Sequence, residues 1–167
     1  MATFIIEEDI VKLREARYLT ANVKHRLPAP RQVIPTPEPN ESVVFVSHFL
    51  RGLGLTLDPF VRGLMFYYGL DFHDLAPDSF FHISSFIIVC EAFLRISLHF
   101  GLWLKTFNVK AKVVDGRQAG CGGVTMSKHI NASWLKGSFT ESSDLWQQEW
   151  FYITEPCGSK WAAAPAF

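Results

Sequence analysis

The sequence lacks an excess of charge of either sign. Its 167 residues carry 16 Lys and Arg and 16 Asp and Glu, so the formal net charge is zero. Basic and acidic side chains number six and five over 1–40, four and six over 41–109, and six and five over 110–167. Binding to a phosphate backbone needs a basic patch, so the charge does not support a nucleic-acid partner. Neutrality also removes long-range repulsion between copies, which favours self-association.

Cysteine, signal and membrane features are also scarce. Three cysteines with no CxxC spacing are too few for a disulfide scaffold. The first residues have no basic region followed by a long apolar run, so no secretory signal is predicted. We therefore expect a cytoplasmic or nuclear protein. The most apolar stretch, residues 80–94, is shorter than a membrane span. It predicts a mostly covered helix and no membrane partner.

Periodicity and proline content divide the chain into four predicted parts. An amphipathic helix over 6–18 indicates an N-terminal helical arm, residues 1–25. Residues 26–41 hold five of the nine prolines, which is typical of an extended linker. The alternative for this segment is docking into an aromatic groove. Residues 42–157 predict a single globular domain, and residues 158–167 predict a flexible or truncated tail.

Helices are predicted first in the globular part. Residues 42–108 indicate a helical core that starts with a short extended segment. Asp58 is expected to cap a helix that begins with proline and that Gly69 closes. Two further helices are predicted over 77–95 and 97–107, where apolar residues recur at helical spacing.

Strands are predicted after the helices. The patterns over 110–117, 124–129 and 148–154 are rich in β-branched or aromatic residues. The glycine-rich segment 120–123 indicates a turn between the first two. Helices followed by strands predict an α+β fold: a helical core followed by a small antiparallel β region.

The densest polar cluster in the sequence contains Asp71, His73 and Asp74, with Asp78 and His82 nearby. Carboxylates and imidazoles are common metal ligands, and acids holding a divalent metal suit phosphoryl chemistry. Turn and capping roles also account for all three aspartates, and the spacing fits no known ligand signature. We therefore assign no catalytic residue and no metal ligand, and we expect no cofactor.

Other reactive or aromatic side chains have structural explanations. Cys90 lies on an apolar helix face, so we expect it to be a core residue. Cys121 lies between glycines, where an exposed thiol is reactive only if its pKa is lowered. Basic residues do not interleave with the C-terminal tryptophans, so core packing is favoured over base stacking. These tryptophans are Trp134, Trp146, Trp150 and Trp161.

Five segments of the sequence have a familiar pattern: VVFVSHFLRGLG over 43–54, PFVRGLMFYYGLDFHDLAP over 59–77, CEAFLR over 90–95, HFGLWLKTFNVK over 99–110 and WQQEWFYITEP over 146–156. These segments resemble the gypsy-type transposon (transposase-like) domain family of grass retroelements. Shorter resembling segments lie over 13–16, 25–28 and 32–39, so the resemblance spans nearly the whole chain. It implies a plant retroelement origin and supplies no catalytic residue set.

The sequence lacks the catalytic motifs of retroelement enzymes. A protease needs an Asp-Thr/Ser-Gly triplet, whereas Asp115-Gly116 follows valine. The spaced acids and His-Cys module of an integrase are also missing from the sequence. We therefore expect a non-catalytic protein-interaction or assembly domain that forms a homo-oligomer or binds a host protein. The alternative is a transposase that acts on DNA with a metal held by Asp71, Asp74 and Asp78.

Overall fold

The computed structural model describes residues 3–55, 57–111, 121–135 and 146–154, and the backbone of 113–114 and 117–118. The described helices are α1 (Glu7–Glu15), α2 (Val46–Leu50), α3 (Pro59–Tyr68), α4 (Pro77–Ile88), the π-helix Val89–Leu94 and α5 (Phe100–Thr106). The described strands are β1 (His25–Arg26), β2 (Glu41–Phe45), β3 (Phe107–Ala111), β4 (Val113–Val114), β5 (Arg117–Gln118), β6 (Val124–Lys128) and β7 (Trp150–Thr154). The predicted α+β class is confirmed.

The ends of α3 follow the local signals in the sequence. The Asp58 carboxylate accepts a hydrogen bond of 2.7 Å from the Phe60 amide, and Pro59 occupies the first helical position. Gly69 ends the helix in the left-handed conformation, with φ of 63°. Upstream, β2 is followed directly by α2. This confirms the predicted extended segment at the start of the helical core.

The long helix predicted over 77–95 is present, but its second part is a π-helix. α4 continues without a break into the π-helix, where Ile96 N–H donates to the Cys90 carbonyl over 2.9 Å. The expectation that most of this helix is covered is wrong, because only 39% of Pro77–Leu94 is buried. By length and hydropathy alone, this segment is also the one described helix that could cross a membrane.

β7 is the central strand of a three-stranded antiparallel sheet with the order β1–β7–β2. Ile153 lies opposite His25 on one side and Ser42 on the other. One face of β7 packs on the main core, and the other packs with β2 and Trp146. A strand paired on both edges and covered on both faces has a continuous apolar sequence. The strand predicted over 148–154 is therefore confirmed, although its partners are far away in the chain.

The proline-rich segment leaves and returns to this same sheet. Arg26, at the end of β1, donates two hydrogen bonds to the Glu41 carboxylate at the start of β2. The Arg26 guanidinium also lies 3.8 Å from the centre of the Tyr152 ring. The Tyr152 hydroxyl accepts a hydrogen bond of 2.9 Å from the Thr36 amide. The segment is thus a loop that connects two strands of one sheet, and not a tether between separate bodies.

The first helix is likewise part of the main core. Its buried residues Ile10 and Leu13, with Leu19 and Val23 after it, belong to the same apolar cluster as the helices of the central region. The helix predicted over 6–18 is therefore present as α1 and packs on the main core. The boundaries of the four predicted parts stay a prediction, and the tail over 158–167 lies outside the described residues.

The remaining strands form two separate two-stranded sheets. β3 pairs with β6, and β4 pairs with β5, both antiparallel. The strand predicted from 110 therefore begins earlier, at Phe107, where α5 ends. An aromatic cluster fills the space between α4, α5 and β3; Trp103 stacks on Phe107 with ring centres 4.3 Å apart, and Phe86 contacts both rings.

Candidate functional site

The polar cluster predicted from the sequence is partly assembled in the structure. Asp71, His73 and Asp74 each offer a ligand atom, and these atoms lie within 4.8 Å of one another. The cluster surrounds the short 3₁₀ turn Phe72–Asp74. Phe72 is buried and anchors this turn on the core. The polar side chains are therefore held at the surface by an apolar residue between them.

Capping explains much of the geometry of this cluster. The Asp71 amide donates to the Asp74 carboxylate over 2.8 Å, and the Asp71 side chain accepts from the turn in return. His73 Nε2 lies 3.6 Å from the other Asp74 oxygen. One imidazole and two carboxylates could hold a divalent cation with open coordination positions. The same contacts close a capping box without any ion.

Asp78 and His82 do not join this group. The Asp78 carboxylate lies 3.7 Å from Arg51 Nε, at the start of α4. His82 is half-buried one turn further along, with its ring 5.4 Å from that of Phe107. Desolvation lowers the pKa of His82 from its ordinary value. The described site thus contains His73 in place of Asp78, which the alternative sequence hypothesis had included.

The described cysteines are not activated. Cys90 is buried in the core, as predicted, and desolvation raises the pKa of its thiol. Cys121 is only partly exposed, and burial raises its pKa, with a further contribution from the negative charge of Asp74. A nucleophilic cysteine needs the opposite shift. The structure therefore favours structural roles for both thiols.

The described tryptophans are packed against other aromatic side chains. Trp146 meets the edge of Phe45 with ring centres 5.0 Å apart, and Trp134 meets Phe107 at 5.1 Å. Trp150 is fully buried in β7. These contacts confirm packing for Trp134, Trp146 and Trp150, and Trp161 lies outside the described residues.

A buried histidine, which the sequence analysis missed, links β2–α2 to the polar turn. His48 is fully buried, and its Nε2–H donates to the Leu75 carbonyl over 3.0 Å. Because a carbonyl only accepts, this contact places the proton on Nε2. Desolvation lowers the pKa of His48 to about 3, so the ring stays neutral. The signal was one histidine inside the apolar run VVFVSHFL.

Several large apolar side chains remain exposed in the described part of the chain. A groove of about 270 Å³ runs between α1 and α2. Its walls include the exposed Phe4 and Leu50, and Asp9, Lys12 and Glu149 supply its charged groups. Exposed apolar side chains also lie on α3 and around the end of the π-helix. Apolar grooves rimmed by polar residues are typical of interaction sites in folded proteins.

Comparison with known proteins gives one result. A family model described as "Putative gypsy type transposon" matches residues 43–111, which confirms the resemblance over that part of the chain. The matched residues run from β2 to the end of β3 and include the Asp71 turn and the π-helix. The segments of resemblance before 43 and after 111 lie outside the match. No curated protein and no solved structure matches the chain significantly.

Proposed function

We propose that this chain is a retroelement-derived plant protein of gypsy type that works as a non-catalytic protein-interaction or assembly domain. The observation that carries the proposal is the exposed apolar surface, which includes the α1–α2 groove. Phe4 is 66% exposed and Leu50 is 62% exposed at that groove. Covering large apolar side chains at a concave surface with another protein removes them from water, which lowers the free energy of the system.

The charge distribution supports protein partners over nucleic acid. The chain has no net charge, so it lacks the electrostatic attraction that drives phosphate binding. Neutral copies also approach one another without long-range repulsion. The partners proposed are therefore a second copy or a host protein in the cytoplasm or nucleus, without membrane insertion.

Light scattering and affinity capture test this function together. The chain is expected to form oligomers as its concentration rises, or to retain a host protein that stays bound through washing. Leu50→Ser is expected to weaken such binding if the groove takes part, and Ile130→Ser is a control at an exposed apolar residue elsewhere. A chain that remains monomeric at high concentration and retains no protein would contradict the proposal.

A second candidate is a transposase that uses a divalent metal at the Asp71 turn. The convergence of Asp71, His73 and Asp74 is the observation that favours it. DNA nicking or strand transfer that requires Mg²⁺ and is lost in Asp71→Ala or Asp74→Ala would support it. Asp78→Asn is the matched control, because Asp78 faces Arg51. Equal activity in Asp74→Ala and the parent chain would exclude this use of the cluster.

A further inference from the structure

The end of the long apolar helix is exposed to solvent. Residues 91–97 are exposed without interruption, although they include large apolar side chains. We define the α4 tip as Ile88, Phe93, Leu94 and Ile96. Phe93 is the most exposed of the four, at 76%, and the other three range from 43% to 57%.

The tip includes the end of the π-helix, where Phe93 and Leu94 are exposed. In a π-helix the repeating hydrogen bond joins residues five apart, and such turns are frequent at functional sites. Ile88, the last residue of α4, and Phe93 are separated by this same spacing. Cys90 is buried beneath and anchors the turn, and its carbonyl accepts the Ile96 amide.

The tip also carries a backbone conformation that is unfavourable for its residue. Arg95 ends the π-helix with φ of 53°, a left-handed position at which glycine is the usual residue. An arginine there costs free energy that glycine would not. Such an outlier motivates a functional hypothesis for the side chain.

The α4 tip carries one acidic and one basic side chain, so two copies of it can be complementary in charge. Glu91 and Arg95 flank Phe93 and are both exposed, and neither takes part in an ion pair among the described residues. In a dimer with a two-fold axis, the same surface of each copy forms the interface, so a residue of one copy can contact a different residue of the other. An antiparallel approach of two tips would set Glu91 of each copy against Arg95 of the other, around paired Phe93 rings.

From these observations we propose that the α4 tip is a two-fold docking surface for a second copy of this chain. The inference rests on the proposed assembly function and names one partner and one surface for it. The tip is small compared with stable interfaces. The contact is therefore weak and depends on protein concentration.

Sedimentation over a concentration series tests this surface in the intact chain. Phe93→Ser is expected to raise the dissociation constant of the dimer by about 10-fold, which is typical of losing a central aromatic contact. Its circular dichroism spectrum should be unchanged, since Phe93 is exposed. Ile130→Ser, a control at a residue that is 93% exposed elsewhere, should leave the dimer as it is.

Charge reversal gives the sharper test of the two-fold geometry. Glu91→Arg and Arg95→Glu should each weaken the dimer, whereas the double variant should restore it, because the pairs are then re-formed with exchanged signs.

Association that none of these variants changes would overturn the inference and leave the proposed function standing. A chain that stays monomeric overturns the inference, and it also contradicts the proposed function if no protein partner is retained. Flotation with neutral phosphatidylcholine vesicles that is lost in Phe93→Ser would assign the tip to a membrane and overturn the inference.

Discussion

The two ends of one apolar helix have opposite environments. Within α4, Phe80, Ile83 and Phe86 are each at most 2% exposed. Around the π-helix that follows, Phe93 and Leu94 are more than half exposed. Both parts have similar residue types and one continuous helical backbone. The difference arises from the neighbours: α2, β3 and β6 cover the first part, whereas the described residues leave the tip uncovered. Hydropathy therefore predicts which residues can be buried, and the fold decides which ones are.

Phe86→Ala should show the largest effect on this comparison. The Phe86 ring contacts Phe60, Trp103, Phe107 and Trp134 at centroid distances between 5.3 and 6.1 Å. Removing it leaves a cavity among rigid rings, so we expect a loss of about 3–5 kcal/mol in the free energy of unfolding. Urea unfolding measures this loss. A cost below about 1 kcal/mol would show that the aromatic cluster collapses into the cavity and is less rigid than the structure indicates.

Acidification should weaken the buried end through His48, whose ring lies 4.5 Å from that of Phe80. Its folded pKa of about 3 lies below the ordinary histidine value of 6.5, so the unfolded chain binds the proton first. The neutral His48 ring causes no loss of stability above pH 6.5, and the free energy of unfolding decreases as the pH falls from 6.5 toward 3. The expected loss at pH 5 is about 2 kcal/mol. Urea unfolding at a series of pH values measures it.

His48→Gln is the matched variant for the pH experiment. Its amide can still donate to the Leu75 carbonyl, but it does not titrate. The dependence of stability on pH between 4 and 6.5 should therefore be flatter in His48→Gln. The same slope in both proteins would assign the acid sensitivity to other groups.

Arg95→Gly should stabilise the exposed end by up to about 1 kcal/mol, because glycine adopts a positive φ without the clash of a Cβ atom. Thermal unfolding checks this change. Arg95→Ala is the control, since it removes the charge and keeps the Cβ atom. If alanine stabilised the fold as much as glycine, the gain would arise from the charge and not from the backbone.

Phe93→Ala should have the smallest effect on stability, within about 0.5 kcal/mol. The side chain is already in water in the monomer, so its removal costs little on folding. The same urea experiment as for Phe86→Ala measures it, at a concentration below that of self-association. A loss of 2 kcal/mol or more would show that another part of the chain covers the tip.

Local signals predicted the helix ends well and the packing of the helices less well. Asp58 and Gly69 define the ends of α3 through contacts within a few residues, so a single sequence contains them. The exposure of Phe93 depends on which elements lie nearby, and its apolar character indicated burial instead. For the polar cluster, Asp71 and Asp74 were recognised because acids and histidines are dense in this part of the sequence. The separation of Asp78 from them required the position of Arg51 in the folded chain.

By itself, the sequence determined the α+β class, the positions of the main helices and the neutral, aromatic-rich character of the chain. Only the tertiary structure decided that β7 lies between β1 and β2, and that the proline-rich segment is a loop on one sheet. Hydrogen bonds within a helix join neighbours in the chain, so propensity and caps predict them. Pairing between β2 and β7 joins residues more than a hundred positions apart, and no local pattern specifies which distant strand is the partner.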